Sequence, residues 1–360
     1  MNHIRGFDGL RAISVLLVIA SHVGIMGILS AGPAHRFFAV FDADFGVRTF
    51  FVLSGFLITT LLLKERKETG GTHVPYFMAR RALRILPVYA VAVGFVWILS
   101  LLGIAYFSDK AFLYSAFFAY NYVPQASAVN YLSHLWSLAI EEQFYLMWPF
   151  IFAVLIPSRR AIIAFCFLIV AVCWYVLGHP LRPDLSSTYY TGRWTIPAIY
   201  PIMIGCTVAL LYDEVRRFTN VLFLIANVGL IALPLVATMT PTATVLHAFG
   251  IAGLLAWIVS NQNSMLVNAL EFRPLAYIGT ISYGLYIWQG ILTGNGPYRD
   301  VPTWPPNVWI GALLTFIIAP ISFHFFEKPI LKFGKRFRTR VKIHPAMHLS
   351  KEPVPQQTGN

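Results

Sequence analysis

Charge is scarce in this sequence. Asp, Glu, Lys and Arg make up 12% of its 360 residues, about half the share of an ordinary soluble domain. Acidic side chains are scarcer than basic ones, 15 against 27. Hydrophobic residues reach 57% and the mean hydropathy is +0.66, more than a soluble core of this size needs. Cysteine is nearly absent: Cys166, Cys173 and Cys206 all lie in apolar runs, with neither CxxC nor metal-type spacing. A disulfide framework and a zinc module are therefore excluded, and the three read as small buried hydrophobes. No repeat of roughly 20 to 50 residues recurs. The two halves share no pattern either, which argues against a transporter built from inverted repeats.

Long apolar runs are what the chain has instead. Ten stretches reach the length a bilayer requires: 7–28, 45–63, 86–106, 134–156, 161–177, 195–212, 219–236, 243–260, 275–293 and 307–326. The segment at 111–123 is apolar but short, and reads as a re-entrant or interfacial helix. The first run is too long for a signal-peptide core and is expected to remain as the first membrane helix. The fold class is thus all-α: a polytopic integral membrane protein of about ten transmembrane helices, with one membrane domain over 1–330.

A net charge of +12 could suggest nucleic acid, but the basic residues sit in short clusters between apolar runs. Alternate connections hold most of them, among them Lys64, Arg66, Lys67, Arg80, Arg81, Arg84, Arg159, Arg160, Arg216 and Arg217. The other connections hold only Arg36, Lys110, Arg182, Arg193 and Arg299. The excess puts both termini in the cytoplasm and removes nucleic acid as a partner. The basic, then polar and Pro-containing tail over 331–360 is expected to be largely disordered.

Ionisable groups inside such runs are costly and mark function. In the first run Arg11 and His22 are eleven residues apart, three turns plus about 20°, on one helix face and about 16 Å apart along the axis. Imidazole suits proton transfer near neutral pH. In "HLWSLAIEEQFYLMWPFIFAVLI" (134–156) the residues His134, Ser137, Glu141 and Tyr145 form one stripe, with Glu142 about a quarter-turn away. A polar stripe on a membrane helix faces the bundle interior or a wet cavity. His22 could meet it there, with a carboxylate orienting the ring and supporting its imidazolium; an ion pair that clamps helices is the plainer alternative. In "YFMARRALRILP", Arg80, Arg81 and Arg84 lie on an amphipathic helix that Pro87 ends. They fit either an anion site for a phosphate-bearing ligand or ordinary cytoplasmic charge. Ser54 and Gly55 in the second run suit close helix packing. His247 reads as a satisfied helix-contact residue, and Glu327 as a partner for a neighbouring Arg.

Taken together, "DGLRAISVLLVIASH", "FFVLSGFLIT", "RRALRILP", "HLWSLAIEEQFYLMWP", "ISYGLYIWQ" and "FEKPI" resemble the acyltransferase-3 family of membrane O-acyltransferases, over about residues 5–330. The resemblance implies transfer of an acyl group, usually acetyl, from acyl-CoA to a hydroxyl. Acetyl-CoA is then the donor co-substrate, with no metal. It implies Arg11 and His22 as essential, with His22 the catalytic base, and Arg80, Arg81 and Arg84 as the site for the coenzyme phosphates, joined by Arg11. Where many relatives carry Asp, this chain has Arg48. Some relatives append an esterase-like domain; about thirty residues follow Glu327, so that domain is expected to be absent.

The expected reaction follows from these placements. Acyl-CoA docks from the cytoplasm, and its pantetheine arm threads between helices. The acceptor hydroxyl arrives from outside past His134, Trp136 and Ser137. His22 takes its proton, with Glu141 or Glu142 supporting the imidazolium. The acceptor is expected to be a carbohydrate of a cell-surface or exported polysaccharide, such as O-antigen or exopolysaccharide, and can be lipid-linked; a Nod-type oligosaccharide or a macrolide also fits. Residence is expected in the inner membrane, among its lipids. A proton-coupled transporter that uses His22, Glu141 and Glu142 as a relay is the alternative from another class. Two chance matches to His-x4-Asp, at His3–Asp8 and His179–Asp184, carry no weight.

Overall fold

The computed structural model describes residues 4–25, 41–179, 192–294, 304 and 307–334. The expected disorder of 331–360 falls almost wholly outside them, as do His3 and most of the string His179–Asp184. Every regular element among the described residues is helical: α1 Phe7–His22, α2 Ala43–Thr69, α3 Val74–Leu101, α4 Asp109–Ala116, α5 Leu135–Leu155, α6 Arg159–Gly178, α7 Thr195–Ala198, α8 Tyr200–Leu210, α9 Val221–Ile231, α10 Pro241–Ser260, α11 Met265–Leu270, α12 Arg273–Thr280, α13 Ser282–Thr293, α14 Val308–Ser322 and α15 Lys328–Gly334. Six helical stretches among the described residues are long and apolar enough to cross a membrane: 43–69, 74–101, 130–155, 159–178, 241–260 and 308–333. The protein is an all-α, multi-pass membrane protein.

Each of the ten apolar runs carries helix among the described residues, but four are shaped differently from the expectation. The basic helix and the third run are one element, α3. Pro87 lies inside it rather than ending it, and Arg80, Arg81 and Arg84 are carried on the same rod as the apolar residues that follow. The run at 195–212 splits into α7 and α8, because Pro197 and Pro201 supply no N–H to the helical ladder. The run at 275–293 opens at Ile281 (φ −96°, ψ 8°), just after Thr280, whose hydroxyl donates back to the Ala276 carbonyl (3.0 Å); such back-bonding bends helices. The run at 219–236 is helical only to Ile231 and passes into a 3₁₀ turn at Leu233–Leu235 that contains Pro234.

Two ends of the bundle can be distinguished. The near end is where α1 begins and the far end is where it finishes. α2 runs back toward the near end, with Phe7 of α1 against Phe56 of α2 (ring centroids 5.9 Å apart). α8 lies against α2 at a pair of glycines. A Cβ on Gly55 would strike the Ile202 carbonyl oxygen, and one on Gly205 would strike that of Val52. The backbones touch there, as small residues allow in membrane helices. The segment 109–132 folds in as α4 and three 3₁₀ turns. It is held by Tyr89, whose hydroxyl donates to the Ser115 carbonyl (2.7 Å) and whose ring stacks on Phe118 (4.3 Å). Gln143 of α5 also holds it, donating to the Phe118 carbonyl (2.8 Å) and to Asn121 (3.1 Å). Cys166, Cys173 and Cys206 are free and buried.

Candidate active site

The stripe on α5 faces the bundle interior. Ser137, Glu141 and Tyr145 line a chamber of about 100 Å³, together with Arg11 of α1, Ser54 of α2, Arg81 and Arg84 of α3 and Tyr286 of α13. Each helix contributes by its period. On α3, positions 81 and 84 share the face turned to α5 and α13, while position 80 points off it. Arg80 pairs instead with Glu65 near the end of α2 (3.1 Å) and is not among the residues lining the chamber. The cluster expected at 80, 81 and 84 is thus divided: two of its guanidiniums join Arg11, and the third belongs to a peripheral ion pair.

The chamber holds its charges close together. Arg11, Arg81 and Arg84 act on one another electrostatically, and Glu141 acts on Arg81. Arg11 also bonds Asp8 one turn earlier (3.3 Å). Arg81 lies over the rings of Tyr145 (5.2 Å) and Phe77 (5.8 Å), contacts that hold a guanidinium by its flat face. Glu141 is fixed by Ser54, which donates to Oε1 (2.6 Å), while Tyr145 donates to Ser54 (2.9 Å). Glu142 does not line the chamber, but it acts electrostatically on Arg81 as well as on Tyr89 and Tyr283. Its Oε1 is buried without a hydrogen-bond partner among the described residues.

His22 stands beyond the chamber, toward the far end. Its Nδ1 lies 2.8 Å from Oε1 of Gln289 on α13. An N–H donated to that oxygen leaves the lone pair on Nε2, the state a proton acceptor needs. The partner that orients this ring is therefore an amide, whereas a carboxylate was expected; Glu141 is engaged by Ser54. Gln289 is fully buried. The sequence offered it only as one polar residue in "YIWQ", and periodicity alone assigns it no partner. Tyr286, one turn before Gln289, links the two places. Its hydroxyl lies 2.6 Å from Ser137 Oγ and donates to the His134 carbonyl (3.1 Å). The His134 ring is buried and packs edge-on against Tyr286 (5.7 Å). It fills the space at Gly290, where a Cβ would collide with it.

Trp136 does not face this chamber. It lines a second one at the far end, of about 250 Å³, with Arg48 and Arg193. His247 is buried on α10 with Nδ1 3.4 Å from Arg48, a contact between helices, but its buried Nε2 has no hydrogen-bond partner among the described residues, so the ring is only half satisfied. Glu327 accepts from Ser322 (3.2 Å) and acts electrostatically on Arg84. Among the described residues no group of three or more His, Cys, Asp or Glu could hold a metal ion.

Comparison with known proteins decides the family. The acyltransferase domain family matches residues 4–325. The chain belongs to that family. It is 30% identical to peptidoglycan O-acetyltransferase OatA of Listeria monocytogenes over 92% of this chain and 56% of that protein. It is 31% identical to YrhL of Bacillus subtilis, provisionally named a peptidoglycan O-acetyltransferase, over 95% of this chain and 57% of that one. A Staphylococcus aureus protein provisionally named an O-acetyltransferase is 30% identical over 93% and 58%. The chain thus spans a little over half the length of these relatives. No solved structure matches.

Proposed function

We propose that the protein transfers an acetyl or other short acyl group from acyl-CoA to a hydroxyl of a carbohydrate acceptor, in the bacterial inner membrane with both termini cytoplasmic. The near end of the bundle then faces the cytoplasm and the donor, and the far end faces the acceptor. The observation that carries this reading is the gathering of Arg11, Arg81 and Arg84 around one chamber that Ser137 and Tyr286 also line, with His22 bonded to Gln289 one turn beyond Tyr286 on α13. Three guanidiniums inside an apolar bundle suit an anionic ligand, and acyl-CoA supplies phosphates at one end and a thioester at the other. The names of the relatives point to peptidoglycan as the acceptor, a polymer absent from those the sequence suggested.

In this reading Arg11, Arg81 and Arg84 hold the donor. Glu141, fixed by Ser54, keeps Arg81 in place. The acceptor hydroxyl gives its proton to Nε2 of His22 as its oxygen attacks the thioester carbon. The carbon–sulfur bond then breaks, and the departing thiolate takes the proton back from the imidazolium, so free CoA leaves and the base is regenerated. Gln289 keeps the ring in the tautomer that can accept. The test is release of free CoA from acetyl-CoA by membranes supplied with peptidoglycan fragments, comparing the intact protein with a correctly inserted His22→Ala variant. Acceptor-dependent release by the intact protein alone is expected. Product formation by the variant would remove His22 as base. Proton uptake without any CoA release by the intact protein would favour a transporter.

A further inference from the structure

The arginine chamber and the far-end chamber adjoin along two helices. On α2, Phe50 and Ser54 face the first, Asp44 and Arg48 face the second, and Val47 and Phe51 line both. At 100° per residue these positions follow one another round the helix in the order 50, 54, 47, 51, 44, 48, within an arc of about 160°. Val47 and Phe51 are therefore the ridge between two neighbouring faces. α5 divides in the same way: Ser137 lines the arginine chamber and the adjacent Trp136 lines the far-end one. Phe51 meets Trp136 edge to face (6.1 Å), so the two ridges touch and the chambers are parted there by one layer of side chains.

The backbone on either side of this ridge is fixed. A Cβ on Gly46, one residue before Val47, would strike the Ser14 carbonyl oxygen of α1 (2.6 Å). Gly55, four residues after Phe51, lies against the backbone of α8. Gly46 and Gly55 are nine residues apart and so on opposite sides of the helix. α2 is thus clamped between α1 and α8 just where it carries the ridge, and close backbone contact of this kind leaves little room for the helix to shift. The side chains are the movable part. Phe51 and Val47 are buried at 2% and 7% exposure, and a phenyl ring has no hydrogen bond to lose. Rotation of Phe51 between its staggered positions gives up the edge contact with Trp136 and the packing around it, and disturbs no polar group.

We propose that Val47 and Phe51 are the specificity-determining barrier of the reaction: closed against Trp136 they keep water in the far-end chamber from the thioester, and rotation of the Phe51 ring admits an acceptor hydroxyl. The inference rests on the acyl-transfer reading above, with the donor in the arginine chamber and the acceptor arriving from the far end. It decides which nucleophile wins. Where water crosses, its oxygen attacks the thioester carbon, the carbon–sulfur bond breaks and the proton passes to the thiolate, so acetate and free CoA leave and nothing is transferred. An acceptor seated in the far-end chamber expels the water there, and the opened ridge then presents a sugar hydroxyl to the acyl carbon.

The test uses the full chain in sealed proteoliposomes of one orientation, as Phe51→Leu and Phe51→Ala. Phe56→Leu is the control, a buried phenylalanine on the same helix that lines neither chamber. The barrier is first read without any acyl transfer. A cysteine placed in the arginine chamber by Ser54→Cys is challenged with a small membrane-impermeant methanethiosulfonate from the side opposite the α1 N-terminus; the native cysteines are buried. Labelling should be slow in this parent, rise a few-fold or more when Phe51→Ala is added, and stay unchanged when Phe56→Leu is added. Hydrolysis is read next, as acetate released from acetyl-CoA without acceptor. It should rise a few-fold in Phe51→Leu, further in Phe51→Ala, and not at all in Phe56→Leu. Labelling that Phe51→Ala does not quicken, or that Phe56→Leu quickens equally, overturns the barrier. Quickened labelling with unchanged hydrolysis, in a protein that does transfer acetyl groups, overturns its role in excluding water. Quickened labelling in a protein whose wild type releases no CoA with acceptor present counts against acyl transfer and leaves the barrier standing.

Discussion

The two chambers share a wall and differ in almost everything else. The one toward the near end is the smaller, about 100 Å³. It concentrates three guanidiniums around Glu141, with the hydroxyls of Ser54, Ser137, Tyr145 and Tyr286 arranged between them. The far-end chamber is about 250 Å³, and of its two arginines Arg48 contacts Asp44 and His247 while Arg193 lies over an indole. The bundle thus keeps two polar volumes apart with one layer of side chains. In the proposed reaction, only the reacting groups have to meet across it: a hydroxyl oxygen from one side and a small acyl carbon from the other. The coenzyme and the bulk of the acceptor never share a space, which excludes most competing water from the thioester.

The largest expected effect comes from removing the proposed base. His22→Ala should lower kcat about 10² to 10⁴-fold, the usual worth of a positioned general base, with the KM for acyl-CoA within a few-fold of normal. Next is the charge of the donor chamber. Arg84→Gln should raise the KM for acyl-CoA roughly tenfold or more, as loss of one charge-assisted bond requires. Arg80→Gln should leave it within about twofold, because Arg80 serves Glu65. Equal effects of the two would erase the division between chamber and periphery. Gln289→Leu should lower kcat about tenfold with the KM for acyl-CoA held, since the His22 tautomer is then no longer fixed; a change in KM alone would make Gln289 a packing residue. Phe51→Leu thins the shared wall. Acyl-CoA hydrolysis without acceptor should rise a few-fold, and an unchanged rate would mean that Phe51 is no barrier.

The smallest effect lies outside the membrane. Arg159 donates two bonds of 2.6 Å to Glu214 and holds that carboxyl at about 2, below its ordinary 4.5. A carboxyl depressed on folding adds stability above its unfolded value and loses it as pH falls toward the folded one. The Glu214→Gln variant should therefore match the wild-type protein in thermal stability near pH 2, fall progressively below it as pH rises toward about 4.5, and keep a small constant gap above that. The pair is solvent-exposed, so high salt should reduce the gap further.

Much of this site was legible before folding because helices are periodic. The stripe at His134, Ser137, Glu141 and Tyr145 turned inward as its spacing required. What was not legible depended on neighbours from other helices. The serine that holds Glu141 and the glutamine that holds His22 come from positions 87 and 267 residues away in the chain, and no local rule joins them. Arg80, Arg81 and Arg84 are similar in sequence, and only the packing of α3 against α5 and α13 separates them. Proline misled in the opposite direction. Pro87 was read as a helix end, yet α3 runs through it; Pro197 and Pro201 break their run because two fall within one turn. The helix breaks at Ile281 with no proline beside it, which apolar length alone does not reveal.

The most direct measurement is transfer across a sealed membrane. Vesicles of one orientation, carrying labelled acetyl-CoA on the side of the α1 N-terminus and peptidoglycan fragments on the opposite side, should yield O-acetylated fragments on the acceptor side while free CoA stays with the donor. Product that forms only when donor and acceptor are supplied on the same side would contradict two chambers divided by Val47 and Phe51.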